Sequence, residues 1–156
     1  MVLSRVAGLF LLALALAGCQ AGPAGAPSSP AFADFDDWGA ARGILDRLFS
    51  DYEHYSRGSF EDLVAGDFVP DRFDYLQSLD TAAYGGKVLQ LDYFINRVVN
   101  DPDRFAIDFR WNKKWMDSRT GGGPKLLSGQ VQMVFKARGS SWVLWQVRGQ
   151  DPLTAV

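Results

Sequence analysis

The chain has 156 residues, 47% of them hydrophobic and 13% aromatic, with a formal net charge of −2 at pH 7. Its one cysteine, Cys19, and one histidine, His54, exclude an internal disulfide, a Cys-based metal site and a His-rich one. Nothing in the composition calls for a cofactor.

Arg5 supplies a positive n-region and residues 6–16 a compact apolar run, the pattern of a secretory signal. The run is too short for a bilayer, which takes roughly 20 apolar residues to cross. It ends in Leu16-Ala17-Gly18-Cys19, which resembles a bacterial lipobox. The resemblance implies cleavage between Gly18 and Cys19, a diacylglyceryl group on the Cys19 sulfur, and acylation of the new N-terminus. The plainer alternative is a small residue in an ordinary signal peptide, or a buried apolar thiol. At about 0.8 kcal/mol per buried methylene, two or three acyl chains hold a protein at a membrane nearly permanently. An Asp after the lipidated Cys is the usual signal for inner-membrane retention; Gln20 stands there, which implies an outer-membrane, periplasm-facing address. That address argues against nucleic acid as a partner.

The chain thus divides into a signal (1–18), the lipidated Cys with a tether rich in Ala, Gly, Pro and Ser (19–33), and one domain (34–156). With no second cysteine, the domain must be stabilised by packing. Trp38, Ala41, Leu45, Leu48, Tyr52 and Tyr55 recur at helical spacing, which predicts an amphipathic helix over 37–55 capped by Asp36 or Asp37. A short helical turn is expected over 60–65. After Pro70 a third helix is expected over 72–79, with Gly85-Gly86 as a break. The period then changes to two. Leu89, Leu91, Tyr93 and Ile95 predict one strand, and Phe105, Ile107, Phe109 and Trp111 a second. Val131, Met133 and Phe135 predict a third, and residues 142–148 a fourth whose inward face stays open, since both its faces are apolar. Turn chemistry at 100–103, 121–124 and 139–140 separates them. The expected class is α+β, with an N-terminal amphipathic helix and short helices packed on a curved, mainly antiparallel sheet of about four strands.

This order of elements, with Gly139-Ser140 before Trp142 and the ending Arg148-Gly149-Gln150-Asp151-Pro152, resembles the nuclear transport factor 2-like superfamily. The resemblance implies a cone-shaped sheet that encloses a pocket in isomerases and cyclases but also serves many non-catalytic binders. Its enzymes carry an Asp or His inside the cone. Here the alternation places Asp92 and Asp108 on the outer face unless a bulge exchanges the faces, and His54 points partly away from the core. The acid–base group is therefore missing or displaced. Candidate pocket residues are Tyr52, Tyr93, Arg97, Phe109 and Trp111, with Tyr55 a further hydroxyl.

Charge is split along the domain. Residues 34–103 carry fifteen acidic against six basic side chains, and residues 104–156 three against nine. Lys113, Lys114, Trp115, Arg119 and Lys125 form a candidate surface patch for an anionic amphiphile or glycan; the plainer reading is a solvated hairpin tip anchored by its tryptophans. Burial of Trp115 would favour the second. Phe94, Val98 and Val134 offer an outer-face contact for a homodimer. The expectation is a membrane-anchored envelope lipoprotein, a non-enzymatic module binding an envelope protein, glycan or amphiphile. The alternative is a small hydrophobic ligand in the cone.

Overall fold

The computed structural model describes residues 35–156 apart from Gly121; the signal, Cys19 and the tether lie outside the described residues. Helix α1 (Phe35–Glu53) follows the predicted stripe. Ala41, Leu45, Leu48 and Tyr52 are buried, whereas Trp38, one turn earlier, is 39% exposed. Asp36 and Asp37 sit inside the first turn rather than at the cap, where their charge meets the positive end of the helix dipole. Helix α2 (Arg57–Leu63) starts at Ser56, whose side chain accepts from the Ser59 amide. Helix α3 (Arg72–Gly85) starts at Asp71, whose carboxylate accepts from the Asp74 amide at 2.9 Å. It runs well past the predicted end to Gly85, burying Leu76, Leu79 and Ala82 but leaving Phe73 exposed.

Five strands form the sheet, one more than expected. Strand β1 (Val64–Val69) occupies the stretch where the sequence predicted the end of a helical turn. β2 (Gly86–Asp101), β3 (Arg104–Asp117), β4 (Lys125–Arg138) and β5 (Ser141–Gly149) form an antiparallel meander. β1 pairs in parallel with β5, giving the order β1-β5-β4-β3-β2. The three helices pack on this curved sheet, and the core joins Leu45 and Tyr52 of α1, Phe60 of α2 and Leu79 of α3 to the inward faces of β3 and β4.

Bulges decide which residues those faces carry. β2 slips against β3 between Val88 and Gln90 and again between Ile95 and Arg97. A one-residue slip exchanges the faces. Leu89 is therefore turned to solvent, Arg97 is exposed and Val98 points into the core at 3% exposure. A further slip opposes Val134 to Gln146 but Phe135 to Leu144, making Trp145 the extra residue. The inward set of β5 is thus Trp142, Leu144 and then Val147. Neither regular alternation of that strand holds throughout.

Candidate functional site

The interior of the cone is where the sequence places a pocket. Four of the five candidates converge there. Phe109 is fully buried, 6.1 Å from the rings of both Phe49 and Tyr93. The Tyr93 hydroxyl donates to the Asp46 carboxylate at 2.5 Å, and the Tyr52 hydroxyl donates to the Leu153 carbonyl at 2.5 Å. Trp111 packs against Gly129, where an added Cβ would sit 2.7 Å from its ring, and its Nε1 donates to the Gln150 carbonyl at 2.7 Å. Arg97 is the exception, because the second β2 bulge turns it outward. Asp92 and Asp108 stay on the outer face, accepting from the Gln90 and Gln132 amides. His54 is exposed, with Nδ1 3.1 Å from the Ser50 carbonyl. Tyr55 donates to Asp80 at 2.7 Å.

The C-terminal end of the chain packs against these groups. After β5 the backbone turns across the cone, and Leu153 enters the core with no exposed surface. Asp151 organises the turn. Its Oδ1 accepts from the Leu153 amide at 3.0 Å, its Oδ2 accepts from the Thr154 hydroxyl at 3.4 Å, and its carbonyl accepts from the Ala155 amide at 3.0 Å. Beneath it, Lys113 donates from Nζ to the Pro152 carbonyl at 2.6 Å and to the Ala155 carbonyl. Burial raises the Asp151 carboxyl above the ordinary carboxylate range, and burial lowers the Lys113 ammonium to about 8, partly opposed by Asp151. Desolvation likewise raises the Tyr52 and Tyr75 hydroxyls well above their usual range.

Neither the periodicity nor the charge pattern of the sequence predicts this buried polar cluster as a whole. Lys113 continues the inward alternation Phe105, Ile107, Phe109, Trp111, which was the available signal. Its charge placed it instead on the surface patch, and burial at 0% exposure corrects that assignment. Trp115 is also buried, packed against Gly86 with the Lys125 ammonium 5.1 Å from its ring centroid. Lys114, Arg119 and Lys125 remain exposed. Lys125 opposes Trp115 and so shares its side of the sheet, whereas Lys114 projects from the other, so these two cations do not share a face. The homodimer set is broken in the same way, because Val98 is in the core while Phe94 is 62% exposed.

An opening with an apolar floor lies elsewhere. A groove of about 370 Å³ runs between α1 and the β4–β5 hairpin, floored by Ile44, Leu48, Leu63, Phe135 and Trp142 and edged by Arg47, Asp51, Asp62 and Arg138. Arg47 pairs with Asp51 at 3.8 Å, and Arg138 donates to the Asp62 carbonyl at 2.5 Å. Among the described residues, no cluster of His, Cys, Asp and Glu is arranged to hold a metal ion, and no helix is long and apolar enough to cross a membrane.

No protein-family model matches the sequence, and neither does any curated protein. Solved structures do. A conserved protein from Planctomyces limnophilus is 17% identical with a TM-score of 0.61, over 75% of this chain and all of that one. An NTF2-like superfamily protein from Salmonella enterica is 11% identical with a TM-score of 0.57, over 75% of this chain and 92% of that one. An NTF2-like protein of unknown function in nutrient uptake from Rhodospirillum rubrum is 16% identical with a TM-score of 0.56, over 70% of this chain and 95% of that one. With three helices on a curved, mostly antiparallel five-stranded sheet, the described domain has the nuclear transport factor 2-like fold.

Proposed function

We propose that the chain is a membrane-anchored lipoprotein of the cell envelope whose domain is a non-enzymatic binding module. The partner, an envelope protein, glycan or amphiphile, is taken at the surface rather than inside the cone. The observation that carries this reading is Leu153, fully buried at the centre of a turn whose carbonyls are held by Tyr52 and Lys113. Leu153, packed into the core, takes up space that a small-molecule site inside the cone would need. The groove along α1, with an apolar floor and a charged rim, suits the chain and headgroup of an amphiphile. Anchoring through Cys19 on a flexible tether raises the local concentration of such a site near the membrane without fixing its orientation.

Native mass spectrometry of the domain from residue 34, purified from an envelope extract, tests the reading. The expected result is a domain with no small molecule retained in the cone, together with loss of in-cell crosslinks to the envelope partner in Ile44→Lys. A ligand retained in the Ile44→Lys variant would favour the second reading, an isomerase- or cyclase-like pocket for a small hydrophobic ligand.

A further inference from the structure

A cleft of about 240 Å³ opens between α3 and the C-terminal turn, and it is separate from the groove along α1. Its floor is the Asp151 carboxylate beside the Tyr75 hydroxyl, and Phe68, Pro70 and Val147 form an apolar wall. The Phe68 and Tyr75 rings stack at 4.4 Å and hold that wall in place. Asp71 and Asp74 stand at the rim, and no Lys, Arg or His lines the opening.

One buried charge lacks a contacting counter-ion, and one buried hydroxyl lacks a hydrogen bond. Asp151 is only 8% exposed, yet it forms no ion pair among the described residues. The adjacent ammonium, Lys113, is directed instead at the Pro152 and Ala155 carbonyls. A buried carboxylate without a direct counter-ion carries a large desolvation cost. Tyr75 adds a buried hydroxyl that lies close enough to couple with Asp151 but makes no hydrogen bond of normal geometry. Buried polar atoms are rarely left so. The positive end of α3 is already met by Asp71, its N-cap, and by Asp74 in the first turn, so the field in the cleft favours a cation.

We infer that this cleft binds a small primary amine with a short apolar body, its ammonium on Asp151 and the Tyr75 hydroxyl and its body against Phe68, Pro70 and Val147. An ammonium brings three donors and one positive charge, which complete both groups together. At ~30 Å³ per water the cleft has room for about eight waters, which limits the ligand to a short alkylamine or the N-terminal residue of a peptide.

The test is a titration of the full chain, followed by NMR at the Tyr75 and Thr154 amides, with isoamylamine and with the peptide amide Leu-Ala-Ala. Isoamyl alcohol and the N-acetylated peptide serve as controls. Saturable shifts with the amine alone support a free amine as ligand, and shifts with the peptide support a chain terminus; neither control should saturate. Asp151→Asn should weaken binding at least tenfold, and Tyr75→Phe, which leaves the carboxylate in place, three- to tenfold should the first variant not fold. Absence of saturation by both probes, equal binding of the neutral controls, or unchanged affinity in the folded variants would overturn the inference.

Discussion

Lys113 has no exposed surface, and its ammonium contacts carbonyl oxygens rather than a carboxylate. Burial lowers it from 10.5 to about 8, so between those values the unfolded chain holds a proton that the folded chain lacks. Stability therefore rises with pH through that window. The buried tyrosines, raised above 10, act in the opposite sense only at higher pH. Urea midpoints should show a gain of roughly 1–2 kcal/mol between pH 7.5 and 9.5. Lys113→Met should remove that slope while costing about 1–3 kcal/mol at neutral pH, because the Pro152 and Ala155 carbonyls lose their donor. Trp111 makes a second residue-scale case. Gly129→Ala places a methyl 2.7 Å from both the indole and the Gln150 Cβ, at the position that pairs with Trp111. A loss of about 1–3 kcal/mol is expected, with a changed near-ultraviolet dichroism of the tryptophans.

At the scale of elements, the helices and the four meander strands were legible because their apolar periods are long. α1 presents four buried residues on one stripe, and β3 alternates without interruption from Phe105 to Trp115. β1 escaped detection for a physical reason. Its six residues place exposed Gly66 and Asp67 between buried Val64-Ala65 and buried Phe68 with half-buried Val69, so it lacks period two, and its pairing partner β5 is remote in sequence. Arg97 and Val98 lie on the faces opposite to those the alternation predicts, because a bulge leaves no trace in the residues before it. Caps, by contrast, are local. Asp71→Ala should cost about 1 kcal/mol, since the Asp74 amide loses its acceptor. Thermal melting would register this as a fall of about 4 °C for a domain of this size.

For the whole molecule, the split of charge between the two halves is little used inside the fold. Among the described residues, the ion pairs that join them are Lys136–Asp67 at 2.5 Å and, between chain neighbours, Arg104–Asp103 at 4.0 Å, at exposed or partly exposed sites where such pairs contribute at most about 1 kcal/mol each. The other basic side chains of the C-terminal half are exposed, apart from Lys113, which is buried. The anchor belongs to this scale as well. Cys19→Ser should move the protein from the membrane to the soluble fraction in cell fractionation while leaving its circular dichroism and melting temperature unchanged. Persistent membrane attachment would remove Cys19 as the anchor.

Class, element order and the resemblance to a cone-shaped fold could be read from the chain because they depend on local periodicity and turn chemistry, which neighbouring residues specify. The content of the cone could not. Whether Lys113 lies inside or out, whether Asp151 is a surface turn residue or a buried carboxylate, and whether Leu153 closes the interior all depend on where the last six residues cross β3 and β4. Those contacts join positions about forty residues apart in sequence, and a long-range crossing has no periodic signature. Packing alone selects it, by burying Leu153 and supplying donors to the carbonyls that the turn takes out of water.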